Sequence, residues 1–233
     1  MNLVSNGAGE CNLNAVTQAQ GATGQTKASR LEKLRAEDPE FRASFALESV
    51  AKAKLQPGMR LSQVVQLVME GYADRPALGQ RARELVTDPA TGIKTLQLLP
   101  RFDTITYREL WARARTVAAE WHQHPQHPLN AGDFVCILDF TSPDYGALIL
   151  ASIHLGAVIV PLQTSAPARQ HSDIMAETGP RILAVGIDYL DAAVDAVLSG
   201  TVPQRLVVMS YDARDDGHRN KLEAAERRLA DAR

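Results

Sequence analysis

Cysteine is scarce: the 233 residues hold two, Cys11 and Cys136. The first lies in a polar N-terminal stretch and the second inside an apolar run, with no metal or redox spacing between them. Two free thiols in a reducing compartment are therefore expected. Charge of one sign is also missing. Lys plus Arg number 25 against 27 for Asp plus Glu, a formal net charge of −2. Such a balance predicts no general attraction to nucleic acid or to an anionic membrane. The N-terminus has no basic stretch followed by an apolar segment, its first cationic side chain being Lys27, so no secretory signal is read. The longest apolar stretch, 146–162, is broken by Ser152, His154, Gly156 and Pro161. It reads as a buried helix followed by a buried strand, not as a membrane span. These absences predict a cytoplasmic chain with neither nucleic acid nor membrane as partner.

What is present is ordinary globular material: 45% hydrophobic and 22% charged residues, enough for a sizeable core. Residues 1–29 are mostly Gly, Asn, Ala, Gln and Thr and are expected to form a disordered tail, because they bury too little to offset ordering entropy. The folded portion is placed at 30–233. From Arg30 to Leu55 the pattern is charged and helical, with Leu31, Leu34, Phe41 and Phe45 as anchors and a break at Asp38-Pro39. Pro57-Gly58 marks a turn. Leu61, Val64, Val65, Val68 and Tyr72 share the face of a helix ending near Gly71. A hairpin is expected from stretches 81–87 and 93–99 around Asp88-Pro89-Ala90-Thr91-Gly92, then a short strand at 104–106. Thr106 and Glu109 have capping-box spacing and open a helix striped by Leu110, Trp111, Ala114, Val117, Ala118 and Trp121.

Downstream, the pattern alternates. Apolar strands are expected at 134–138, 157–162, 181–185 and 205–209. Between them lie helices: one capped by Ser142, opened by Pro143 and ended by Gly156, one burying Ile174 and Met175, and one over 188–198 followed by Gly200. A charged helix over about 220–232 comes last. Strands apolar on both faces and separated by helices indicate the α/β class: a parallel sheet with flanking helices and right-handed crossovers.

An open sheet of this kind binds ligands beyond the carboxyl ends of its strands. Those ends are Asp139-Phe140-Thr141-Ser142, Gln163-Thr164-Ser165, Gly186-Ile187-Asp188 and Ser210-Tyr211-Asp212. Their small polar residues could receive a phosphate at a helix N-terminus, although for Ser142 and Ser165 capping of their own helices is the simpler role. Asp139, at a strand end, is a candidate general base or ion-pair partner. His122, His124 and His127 supply metal-type donors without an acidic or thiolate partner at useful spacing. His154 reads as a core histidine bonded to a backbone carbonyl. Arg227 and Arg228 read as a solvated helix face. No Walker loop, Gly-x-Gly-x-x-Gly after a strand, Gly-x-Ser-x-Gly or His-Glu-x-x-His occurs.

Four runs carry a family resemblance. They are Glu70-Gly71-Tyr72-Ala73-Asp74-Arg75-Pro76-Ala77-Leu78-Gly79-Gln80-Arg81-Ala82; Leu99-Pro100-Arg101-Phe102-Asp103-Thr104-Ile105-Thr106-Tyr107-Arg108-Glu109-Leu110-Trp111; Gly132-Asp133-Phe134-Val135 with Phe140-Thr141-Ser142; and Val160-Pro161-Leu162-Gln163-Thr164-Ser165-Ala166-Pro167. From about Arg30 onward the chain resembles the adenylation domain of carboxylic acid reductases, within the adenylate-forming acyl-CoA ligase superfamily. Thr-Tyr-x-Glu-Leu is shared across that superfamily, while Pro-Leu-Gln-Thr-Ser-Ala-Pro is narrower and points to the reductases. The resemblance implies an enzyme that joins a carboxylate to ATP, passes the acyl group to a phosphopantetheine thiol and reduces it with NADPH to the aldehyde.

The chain departs from that pattern. The family's Ser/Thr/Gly-rich loop ending in Pro-Lys-Gly, its aromatic-Gly-x-Thr-Glu segment for adenine and Mg²⁺, its ribose-binding Asp and its late catalytic Lys have no counterpart here. No catalytic, cofactor-binding or metal-ligating residue is therefore assigned. The resemblance implies a truncated N-terminal portion of an AMP-binding domain, with an incomplete version of the N-terminal subdomain fold. It is expected to be inactive alone and to need the missing remainder or to self-associate. ATP, Mg²⁺, phosphopantetheine and NADPH belong to the complete family enzyme. The alternative is a non-catalytic α/β binding or regulatory module derived from that fold.

Overall fold

The computed structural model describes residues 27–232, which divide into two compact units at Ala51/Lys52. Within the first unit, helical backbone covers 27–37 (α1), followed by α2 (Pro39–Ser44) and the start of α3 (Glu48–Ala53). Asp38 provides the expected break: its Oδ1 accepts the N–H groups of Glu40 and Phe41 at 2.9 and 3.0 Å, and Pro39 follows it at the start of α2. Phe41 and Phe45 pack edge to face, centroids 5.1 Å apart. Leu31 and Leu34, expected as anchors, are exposed. The tail expected over 1–29 falls mostly outside the described residues; 27–29 are helical.

The second unit opens with α4 (Leu61–Gly71), where the expected end at Gly71 holds. Its buried residue is Met69, while Leu61 is exposed. A long antiparallel hairpin follows, β1 (Pro76–Thr87) and β2 (Lys94–Thr106). It absorbs the short strand expected at 104–106. β2 runs directly into α5 (Tyr107–Gln123), whose start is the expected capping box. Thr106 Oγ1 accepts the Glu109 N–H at 3.2 Å, and Glu109 accepts the Thr106 N–H at 2.7 Å.

The four-stranded parallel sheet comprises β3 (Phe134–Leu138), β4 (Val158–Pro161), β5 (Ile182–Gly186) and β6 (Arg205–Met209), in the order β4-β3-β5-β6. Its connections are α6 (Pro143–Leu155), α7 (Ala168–Thr178) and α8 (Leu190–Leu198), the last preceded by a 3-10 turn at Ile187–Tyr189; α9 (Asp216–Asp231) follows β6. Successive strand residues point to opposite faces. Val135, Ile137, Ile182 and Ala184 pack with Trp121 of α5 and Leu148 of α6 on one face. Cys136, Leu138, Leu183 and Val185 pack with Met175 of α7, Val194 of α8 and Ala225 of α9 on the other. Both faces of β3 and β5 are therefore covered, which is why these two strands read as nearly continuous apolar runs. β4, expected to be buried, is an edge strand with Val158 exposed.

Ser142, Pro143 and Gly156 bound α6 as the sequence indicates. Ser142 Oγ accepts the Tyr145 N–H at 3.1 Å, and Gly156 closes the helix in the left-handed region at φ 72°. Two helix starts differ most from the expectation. Ser165 caps nothing; it is exposed and accepts from Gln163 Nε2 at 3.0 Å, while Pro167 precedes α7 without a side-chain cap. The last helix starts at Asp216, four residues earlier than expected, because the buried Asp215 caps it through the His218 N–H at 3.0 Å.

Candidate functional site

The chain path along the sheet reverses once. From β3 it moves through α6 to β4, then returns past β3 through α7 to β5 and onward through α8 to β6. The segments leaving β3 and β5, neighbours in the sheet, thus diverge to opposite faces and leave a crevice between their carboxyl ends, the usual ligand position in such sheets. A cleft of about 570 Å³ lies there. Asp139–Pro143, Gly186–Tyr189 and Ser210 form one side, and β1–β2 residues including Leu78, Arg81, Arg83, Leu98 and Phe102 form the other.

Asp139 follows β3 into this cleft. Its Oδ1 accepts the Phe140 N–H at 2.8 Å, and Ser142 Oγ approaches Oδ2 at 3.4 Å. Partial burial pushes the carboxyl above its ordinary value; the nearby Asp144 and Asp188 act in the same direction, against the donors from Phe140 and Ser142. Gly186, the last residue of β5, makes room for it: a Cβ there would collide with the Asp139 carboxylate. Ser210, just after β6, is a non-glycine residue in the left-handed region at φ 56°. Asp144 holds it, its Oδ2 accepting both the Ser210 N–H and Oγ–H at 3.2 Å. Asp188 pairs with Lys221 Nζ at 2.7 Å.

The structure thus brings together Asp139, Ser142, Gly186, Asp188 and Ser210 from the strand ends expected to bind a ligand, and adds Asp144. The other candidates lie elsewhere. His124 and His127 stack at 5.8 Å, and the His122 ring bonds the Leu129 carbonyl at 3.1 Å. No group of three or more His, Cys, Asp or Glu side chains among the described residues is arranged to hold a metal. His154 is not a core histidine: it is exposed, its ring edge-on to Trp111 at 5.2 Å. The buried histidine is His171, bonded through Nε2 to the Gln163 carbonyl at 2.9 Å. Arg227 is exposed as expected, but Arg228 is half-buried and pairs with Asp195 and, at 3.8 Å, Asp191 of α8. Cys136 is fully buried, and burial pushes its thiol up to about 11.

A family model described as AMP-binding enzyme matches residues 69–231. The chain belongs to the AMP-binding enzyme family. Within that family it is 52% identical over 201 residues to the carboxylic acid reductase of Mycobacterium tuberculosis, covering 86% of this chain and 17% of the relative. It is 40% identical over 216 residues to that of Segniliparus rugosus, covering 93% and 18%. Among solved structures, the adenylation–carrier didomain of the Segniliparus rugosus reductase in complex with AMP superposes with a TM-score of 0.82 at 40% identity, covering 88% of this chain and 28% of that one. The adenylation domain of a Mycobacterium chelonae carboxylate reductase gives 0.82 at 42%, covering 91% and 32%. The chain thus spans less than a fifth of the carboxylic acid reductases it matches, and corresponds to part of a carboxylic acid reductase adenylation domain, as its sequence runs indicate. Among the described residues no helix is long and apolar enough to cross a membrane.

Proposed function

We propose that this chain supplies the sheet-and-hairpin portion of a carboxylate-activating adenylation domain, whose complete form joins a carboxylic acid to ATP and carries the acyl group through a thioester to the aldehyde. The observation that carries this reading is the backbone and sequence match to reductase adenylation domains along nearly the whole described chain.

The residues present do not fit a triphosphate or its Mg²⁺ at the switch-point cleft. A helix N-terminus receives phosphate through free N–H groups and its positive dipole end, but the start of α6 is occupied by protein groups. Ser142 takes the Tyr145 N–H and approaches the Asp139 carboxylate at 3.4 Å, and the Asp144 carboxylate is close enough to act on that of Asp139. Of the two arginines lining the cleft, Arg81 is engaged through Nε by the Leu99 carbonyl at 2.8 Å and lies over the Phe102 ring, which leaves Arg83 as the other cation against a polyanionic triphosphate. Phosphopantetheine and NADPH likewise belong to the proposed whole enzyme. The role proposed for these residues is structural: a rigid sheet and a cleft wall against which the catalytic groups of the domain are assembled.

Carboxylate-dependent ATP–pyrophosphate exchange tests this. The chain alone, offered aliphatic and aromatic acids, should give no exchange above a buffer blank. Co-expression with the polypeptide that follows the matched region in the Mycobacterium tuberculosis adenylation domain should restore it. Exchange by the chain alone would overturn the proposal. A monodisperse monomer that ignores the added polypeptide would instead identify a non-catalytic module.

A further inference from the structure

Exposed strand edges are hazards that proteins close with proline, short strands or charged groups. Two such edges in the second unit are closed. On β2, the N–H groups of Lys94 and Leu96 are taken by carboxylates at the start of α9, Asp216 Oδ2 at 2.6 Å and Asp215 Oδ2 at 2.7 Å. On the β4 side of the parallel sheet, the strand has only four residues and ends in Pro161. The β6 edge has neither device. Its residues are Arg205-Leu206-Val207-Val208-Met209, without proline or bulge, and no other backbone segment bonds to its outer side among the described residues.

The register identifies the groups on that outer side. Arg205 N–H donates inward to the Arg181 carbonyl at 3.1 Å. With a two-residue period, Val207 and Met209 also face β5, and the N–H and C=O groups of Leu206 and Val208 face outward.

Chain topology says what belongs there. Moving from β3 to β4 uses α6 on one face; moving the opposite way, to β5 and then β6, uses α7 and α8 on the other. That reversal of face with direction is what right-handed crossovers require. Helix α9 follows β6 and packs on the face of α7 and α8 through Ala225, Leu222 and Leu229. A right-handed crossover through α9 therefore advances in the same direction, to the position beside β6. The matched adenylation-domain structures have ample polypeptide for such a strand, since this chain covers 28% and 32% of them.

We propose that the outer edge of β6 is an attachment edge for a further parallel strand, supplied by the polypeptide that completes the adenylation domain. The proposal rests on the functional reading above and adds to it the bonding groups, Leu206 and Val208. The full chain is examined by hydrogen exchange alone and co-expressed with the following polypeptide of the Mycobacterium tuberculosis adenylation domain. In the complex the Leu206 and Val208 amides should exchange at least about tenfold more slowly, with less change at Val207 and Met209. A Val208→Pro variant removes one outward N–H without touching a bond to β5 and should weaken the complex at least about tenfold. If that variant unfolds, the exchange comparison decides. A complex with restored pyrophosphate exchange but unchanged Leu206 and Val208 amides would overturn the edge proposal and leave the functional reading intact. Slowing that grows with the concentration of the chain alone would make a second copy the occupant and overturn it as well. Absence of any complex would count against both.

Discussion

The Asp139 carboxylate fills the space that a side chain at residue 186 would need, so the carboxyl end of β3 and the glycine that ends β5 are fitted to each other. The pair lies on neighbouring strands, in register just beyond Leu138 and Val185.

Substituting Gly186→Ala should accordingly push Asp139 out of place or force β5 and β3 apart, at a cost of about 1–3 kcal/mol. Urea unfolding of the full chain measures it. Combining it with Asp139→Gly should recover a large part of that loss, because the collision disappears with the carboxylate. Two costs that simply add would show that the two residues do not interact.

The carboxylate itself is held at a disadvantage. Burial first, with Asp144 and Asp188 assisting, raises its folded-state pKa above the ordinary value. For an acid so shifted, the penalty is fully present above the folded pKa and vanishes as pH falls below the unfolded one. Asp139→Asn keeps an acceptor for the Phe140 N–H and should raise stability at pH 7. The gain should be below about 1 kcal/mol, since the side chain is only half-buried, and should fade toward pH 3. An asparagine variant less stable at pH 7 than the parent would refute this account.

Local chemistry made much of the fold legible. Thr106-x-x-Glu109 and Ser142-Pro143 with Gly156 are complete within a few residues, and each structural outcome matches its spacing. The apolar runs of β3 and β5 announce burial on both faces for the same reason. What stayed hidden depends on residues far apart in sequence. Nothing near Gly186 signals that Asp139, 47 positions earlier, points at it. His154 sits in an apolar stretch, but α6 turns that position outward, and the buried imidazole is His171, in a polar run. Ser165 has the composition of a cap but lies two residues before Pro167, where α7 is entered without one.

Cys136 offers a test of the sheet's integrity. In a Cys11→Ser background, a maleimide reagent at pH 7.5 should leave the native chain unmodified and label it once it is unfolded in urea. The thiol is fully buried and its pKa is pushed up to about 11, so the reactive thiolate is scarce. Labelling of the native chain at the rate of the unfolded one would mean that β3 is open to solvent.

Asp215 joins elements 119 residues apart: Oδ1 caps α9 through the His218 N–H, and Oδ2 takes the outward N–H of Leu96. Burial alone would raise its carboxyl; the donors from His218 and Leu96 and the nearby His218 ring outweigh that and hold it below the ordinary value. Asp215→Ala removes a helix cap and a strand-edge acceptor together, and should cost about 1–3 kcal/mol at pH 7. The sign with pH is opposite to that of Asp139. With the folded pKa depressed, the stabilisation is fully present above the unfolded value and is lost as pH falls through the folded one. The difference between parent and Asp215→Ala should therefore shrink between pH 5 and pH 2. Neighbouring charges need separating: Lys94 on β2, Asp216 with Arg219 on α9, and Asp212 with Arg214 before it. His218 also accepts the Asp212 N–H at 3.1 Å. Both chains should therefore be compared in a His218→Asn background, which removes that ring from the comparison. Faster exchange of the Leu96 amide in Asp215→Ala would tie the loss to the hairpin edge. Unchanged exchange there, with the stability cost intact, would assign the whole effect to the α9 cap.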